Sequence, residues 1–272
     1  MRTSLSRIVL AGLLVIAAIA ALFPIVWMTM TSVKPEDEIY KDPPIWVSKH
    51  PTLRHYGDLF SRFNFGRLTW NSLVITAGVL VVSTVFGTMA AYGFSRYDFR
   101  GSGALLGALL AARMITPSAL VVPLYAMMRA LGQLNTLTGI VIGITVLNLP
   151  FVVWMMKPFM DELPRQVEEA AELDGLSPMR VFWQIVVPLA APGLFTVALF
   201  STVTGWVDVL FGMSFSTTTE AMPLTAGLLQ MQTGYQIYWG PMMAGGVYLT
   251  LPTAILSFGL QKYLVRGMRA GF

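Results

Sequence analysis

Runs of apolar residues long enough to cross a bilayer constrain this chain more than any other feature. A helix needs about 20 such residues to traverse the hydrocarbon core, and the sequence supplies runs at about 8–30, 72–94, 104–130, 137–159, 189–211 and 242–264. Short polar segments separate them, rather than the alternating strands of about ten residues that build a barrel. The expected fold class is therefore an all-α membrane protein, with six transmembrane helices in one domain over residues 1–272. Composition agrees: 55% of residues are hydrophobic and 12% charged, with a mean hydropathy of +0.66, outside the range of ordinary soluble domains.

The first run follows Arg2 and Arg7. It is too long for the apolar part of a signal peptide and reads as a retained first helix. Residues 31–70 are polar, and "KDPP" and "KHP" interrupt any long helix there, so the segment reads as an external loop. Six spans place both termini on one side. Lys and Arg are more frequent on the termini's side, and Ser214 to Trp239 contains none, so the termini are expected to be cytoplasmic. The basic residues flank apolar spans, so the net charge of +4 and pI of 9.4 reflect membrane topology, with no nucleic-acid partner expected. There is no cysteine, and His50 and His55 share a loop without an acidic cluster, so no metal site is expected. Gly103/Gly107 and Gly139/Gly143 fit the spacing of close helix packing.

Between the fourth and fifth runs, residues 161–188 break the apolar pattern. Asp161, Glu162, Glu168, Glu169, Glu172 and Asp174 are six of the chain's fourteen acids. Pro164 suits a helix start and Gly175 the position just past a helix end. Ser177 and Pro178 then suit the cap and first residue of a second helix, with a break expected at Pro188. Val167, Ala170, Ala171 and Asp174 recur at helical spacing, forming a small face with acids around its rim. Such a hairpin suits docking against another protein.

"EAAELDG", followed by Ile185 and Pro188, resembles the EAA pattern of membrane permease subunits of binding-protein-dependent ABC importers. Three residues separate Glu169, Ala170 and Ala171 from Gly175, and nine more separate Gly175 from Ile185. Val187 occupies a position that is usually leucine in that family. The resemblance extends over nearly the whole chain and is strongest to the sugar-type branch, as in the smaller permease of maltose-type systems. "NSLVITAGVLVVSTVFGTMAAYGFSRYDFRG" and "LPFVVWMMKPFMDELPRQVEEAA" are two of the stretches that carry it. Two departures stand out: Trp206, Val207 and Asp208 replace a Trp-Asn-acidic stretch, and the sequence stops at Phe272 without the glycine and lysine tail common there.

The resemblance implies a coupling helix that sits in a cleft of a cytoplasmic ATPase, with Glu169, Ala170, Ala171, Asp174 and Gly175 as the coupling residues. It implies four kinds of partner: a second permease in a heterodimer, an ABC ATPase dimer carrying ATP and Mg, an extracytoplasmic solute-binding protein, and the lipid of a bacterial or archaeal plasma membrane. It further implies import of a carbohydrate such as a disaccharide or oligosaccharide.

The chain lacks GxxxxGK[ST], GxSxG and HExxH, so it is expected to be non-catalytic, with no cofactor of its own. Charged residues within spans are costly and point to function. Arg113 lies nine residues into the third run, just before Thr116 and Pro117, where a helix break is expected; Asp208 lies deep in the fifth, beside Trp206. With Asn148 and Gln230 they are candidates for a translocation path, in which an aromatic face and a hydrogen-bonding group suit a sugar. The competing explanation is a structural Arg113–Asp208 ion pair. Tyr235, Tyr238 and Trp239 fit either an interfacial belt or a contact with a solute-delivering protein. Two rival functions remain at this level: an ion-coupled secondary transporter using Arg113 and Asp208, and a structural or assembly protein.

Overall fold

The computed structural model describes residues 2–232 and 236–270; Tyr235 and Phe272 lie outside the described residues. The described residues are predominantly helical and contain no strand, only an isolated antiparallel bridge between Gln232 and Ile237. Among the described residues, three helices have the length and apolarity to cross a membrane singly: Val9–Ser32 within α1 (Arg2–Ser32), α4 (Phe65–Arg96) and α7 (Leu137–Asp161). Two short helices, α2 (Glu36–Ile39) and α3 (Arg54–Ser61), lie between the first two of these. The interval 242–264 lies within α14 (Trp239–Ala270), which follows the short α13 (Leu224–Leu229).

Two expected spans are not continuous helices. The interval 104–130 divides into α5 (Ser102–Met114) and α6 (Pro117–Ala130), bent by 102°. Pro117 has no amide hydrogen and disfavours a helical residue before it. Ile115 and Thr116 accordingly have ψ of 128°. The interval 189–211 is corrected at both ends. Pro178–Leu189 meets α11 (Ala191–Val207) at 83°, and α11 stops where Asp208 turns extended, before α12 (Leu210–Phe215) begins.

The chain forms two compact units, one of residues 1–66 with 227–252 and the other of residues 67–226 with 253–272. In the first, α1 leaves its apolar side chains from Val9 to Val26 largely exposed. The end of α1 is tied down by aromatic contacts. Trp27 meets Trp46 edge-on at 5.1 Å, and the Lys34 ammonium sits 4.4 Å above the Trp27 ring. α3 places buried His55 within 2.7 Å of the Lys34 carbonyl through Nε2. Burial lowers the pKa of Lys34, while the hydrogen bond from Ser48 holds the Glu38 carboxyl below its ordinary value.

In the second unit, small residues let helices meet closely. Gly78 and Gly87 of α4 face Val141 and Val152 of α7, and Gly193 of α11 lies under the Phe159 ring. Of the two GxxxG pairs, Gly143 packs beneath Phe211 and Phe215 of α12, whereas a Cβ on Gly103 or Gly107 would meet nothing within 4 Å. One apolar cluster joins Ala91, Val152, Met156, Met160, Phe182 and Val197. That cluster reaches into the hairpin after α7 and anchors it.

Candidate functional site

The segment after α7 folds as a helix, a tight turn and a second helix. α8 (Arg165–Leu173) starts after Pro164 and ends in a glycine turn. Gly175 has φ +87°, its amide donates to the Glu172 carbonyl, and the Leu176 amide reaches back to the Ala171 carbonyl at 3.1 Å. These are the bonds that satisfy the open carbonyls of a helix end. Ser177 and Pro178 begin α9 (Pro178–Val181), although the Ser177 side chain makes no cap bond. A π-helical turn, Phe182–Val186, and α10 (Val187–Leu189) lead to the bend at Ala190.

Glu168 decides which face of α8 turns inward. Its Oε1 accepts from Arg96 Nε at 2.7 Å and lies 2.7 Å from Arg96 Nη2, while Oε2 accepts from the Tyr92 hydroxyl at 2.8 Å. Arg96 Nη2 also donates to the Leu163 carbonyl, and Arg165 donates to the Ser95 carbonyl at 3.1 Å. The Arg96 and Glu168 side chains are only 8% and 11% exposed. The end of α4 and the start of α8 are thereby stitched together by a desolvated ion pair.

Ala171, one turn from Glu168, packs into the same interior and is 8% exposed. Its expected place on an outward docking face is corrected, because Arg96 rotates the 168/171 side toward the body. Glu169, Ala170, Glu172, Asp174 and Gly175 remain exposed, with Val167, Leu173 and Met179 beside them.

The four intramembrane candidates do not form one site. Arg113 is exposed at the end of α5, where Nη1 donates to the Leu147 carbonyl at 2.9 Å. Its guanidinium lies 4.7 Å from the Phe151 ring centroid and 5.8 Å from that of Phe200. Asp208 is half-buried and accepts from the Gly212 amide at 2.9 Å, and its carbonyl accepts from the Thr225 hydroxyl. The Arg113–Asp208 ion pair, the competing explanation, is absent among the described residues; Asp208 instead caps α12, because the break after Val207 leaves that helix's amides in need of an acceptor. Asn148 is fully buried and donates to Ser201 at 2.9 Å, and Trp206 is 5% exposed. Both therefore sit in helix packing rather than on an open surface. Gln230 is exposed in the other unit, as is Trp239; Tyr238 is half-buried.

Residues 83–270 match the family described as binding-protein-dependent transport system inner membrane component. The chain belongs to that family. It is similar to the inner membrane ABC transporter permease protein YcjP of Escherichia coli (strain K12), with 32% identity over 99% of this chain and 97% of the relative. It is likewise similar to the trehalose/maltose transport system permease protein MalG of Thermococcus litoralis, at 31% identity over 98% and 96% of the two chains. Its fold resembles a chain from a bacterial ABC transporter involved in the import of the acidic polysaccharide alginate, with a TM-score of 0.82 and 23% identity over 96% of each chain. As a member of this permease family it is a multi-pass membrane protein and an ABC transporter permease.

In the sequence, Glu168 stands only in an acidic rim, and Tyr92 and Arg96 have no assigned role. A signal was available: an acid one position before the EAA stretch and a basic residue closing a span are complementary charges beside the same membrane face. Their separation of 72 residues hid the pairing.

Proposed function

We propose that this permease imports a carbohydrate, pairing with a second, different permease to enclose the path and docking an ABC ATPase dimer on the α8 hairpin. ATP and Mg belong to that ATPase. An extracytoplasmic solute-binding protein delivers the sugar to the opposite side, and six spans leave both termini cytoplasmic. The observation that carries the docking assignment is the shape of the hairpin. α8 keeps an exposed rim of Glu169, Ala170 and Asp174 while its inner side is clamped by Arg96. A small, rigid, acid-rimmed knob transmits force, whereas a helix resting on lipid headgroups has no use for such a clamp. The sugar class rests on similarity to carbohydrate importers, including the trehalose/maltose permease MalG and the trehalose permease SugB. Closure of the ATPases would draw the hairpins together and rock the spans as rigid bodies between inward and outward access.

The absence of cysteine makes the test direct. Ala170→Cys in native membranes, treated with a short cysteine-to-amine crosslinker, is expected to capture a cytoplasmic ABC ATPase. Ala171→Cys, facing inward, is expected to capture far less. A well-labelled thiol at position 170 that captures only lipid or nothing would remove the coupling role.

A further inference from the structure

Arg113 lies eleven residues into α5, about 17 Å along a helix rising 1.5 Å per residue, inside the third apolar run rather than at its polar flank. A guanidinium at that depth is tolerated against protein or water but is expensive against lipid. The side chain is exposed, so this face of the subunit borders protein or an aqueous path. Among the described residues Arg113 has no carboxylate partner and a single hydrogen-bond acceptor, the Leu147 carbonyl. A guanidinium has five N–H donors, so most of its hydrogen-bonding capacity is unused.

Its surroundings are aromatic rather than acidic. Phe151 and Phe200 lie 4.1 Å apart by ring centroids, beneath and beside the guanidinium. Trp154, one turn along α7 and 6.0 Å from Phe151, is 48% exposed. An apolar ring face next to an uncompensated cation recognises a particular molecule, one with a flat CH-rich face and an anionic group.

Resting on the reading of this chain as a carbohydrate permease, we propose that Arg113, Phe151, Phe200 and Trp154 form a subsite in the translocation path for an acidic glycoside. Arg113 pairs with the sugar's carboxylate or sulfonate, and the exposed Trp154 face stacks on a ring. Phe151 and Phe200 hold the guanidinium in place from behind. The absence of a counter-acid is the selective element, since a neutral sugar leaves the cation unpaired.

The test uses the assembled importer and does not depend on the identity of its cargo. Val146 is exposed beside the Leu147 acceptor, so Val146→Cys reports the local potential. Its modification rates by an anionic and a cationic methanethiosulfonate are compared in the Arg113 and Arg113→Gln backgrounds, reading label on this subunit alone. The anion-to-cation rate ratio is expected to fall about tenfold in Arg113→Gln, the scale on which a charged cleft alters encounter rates. Sodium glucuronate, but not glucose at equal concentration, is expected to slow modification only when Arg113 is present. An unreactive thiol at position 146, an unchanged ratio, or a shifted ratio without glucuronate protection would each overturn the subsite. Loss of the second permease in Arg113→Gln would instead make Arg113 an assembly contact and also overturn it. Co-purification of the ATPase is scored separately, so failure here leaves the importer reading standing.

Discussion

Gly175 and Glu168 hold the hairpin by different physics, and their substitutions should fail differently. Gly175 has φ +87°, and a Cβ added to it would have nothing within 4 Å, so any penalty there is conformational rather than steric crowding. A side chain in the left-handed region costs about 1–2 kcal/mol, least for Asn. Gly175→Val is therefore expected to insert normally yet lose most ATP-coupled uptake, while Gly175→Asn keeps most of it. Equal uptake by the Val variant and the wild type would remove the turn from the mechanism. At Glu168 the loss is electrostatic: Arg96→Ala leaves a nearly buried carboxylate without its cation, for which about 3–5 kcal/mol is typical. Amides of residues 165–173 should then exchange hydrogen much faster by mass spectrometry, and Arg96→Ala combined with Glu168→Ala should recover part of the protection. Unchanged exchange in Arg96→Ala would mean that the apolar cluster alone anchors α8.

At the scale of elements, the close approaches in the second unit set a packing test. A Cβ at Gly143 of α7 would lie 2.7 Å from Phe215 Cε2 and 2.9 Å from Phe211 Cδ1, both on α12. Overpacking of that kind costs about 1–3 kcal/mol. Gly143→Leu should lower the melting temperature of the purified protein, whereas Gly107→Leu, with open space around it, should not. The contrast also shows what sequence could reveal. GxxxG spacing marked both pairs alike, because spacing records which residues share a face and not what lies opposite. Pro117 marked the break in the third run, since a missing amide acts on its own neighbours. No proline announces the break at Asp208. It depends on the Gly212 amide and the Thr225 hydroxyl, a contact 17 residues away. The inward turn of Ala171 was hidden in the same manner: α8 alone has acids on several sides, and the choice among them was made by Arg96 on another helix.

At the scale of the molecule, the distribution of charge separates an ATP-driven permease from an ion-coupled carrier. A secondary transporter needs a titratable or ion-binding group that alternates between partners as access switches. Among the described residues Arg113 has no acid beside it, and Asp208 is taken up in capping α12. The chain belongs to a family of transport permeases, and on the proposed reading the ATP is drawn on by a partner chain. On the proposed reading, the acid-rimmed α8 knob takes its push from a second protein. Proteoliposomes holding this chain alone, given a proton or sodium gradient and a mixture of tritiated neutral and uronic disaccharides, should accumulate no more than protein-free vesicles. Adding the second permease, the ATPase, the solute-binding protein and ATP should produce accumulation, and Gly175→Val should abolish most of it while the ATPase stays bound. Accumulation by the lone chain under a gradient would overturn this division of labour, because the energy would then enter through the spans and the hairpin would be left without a task.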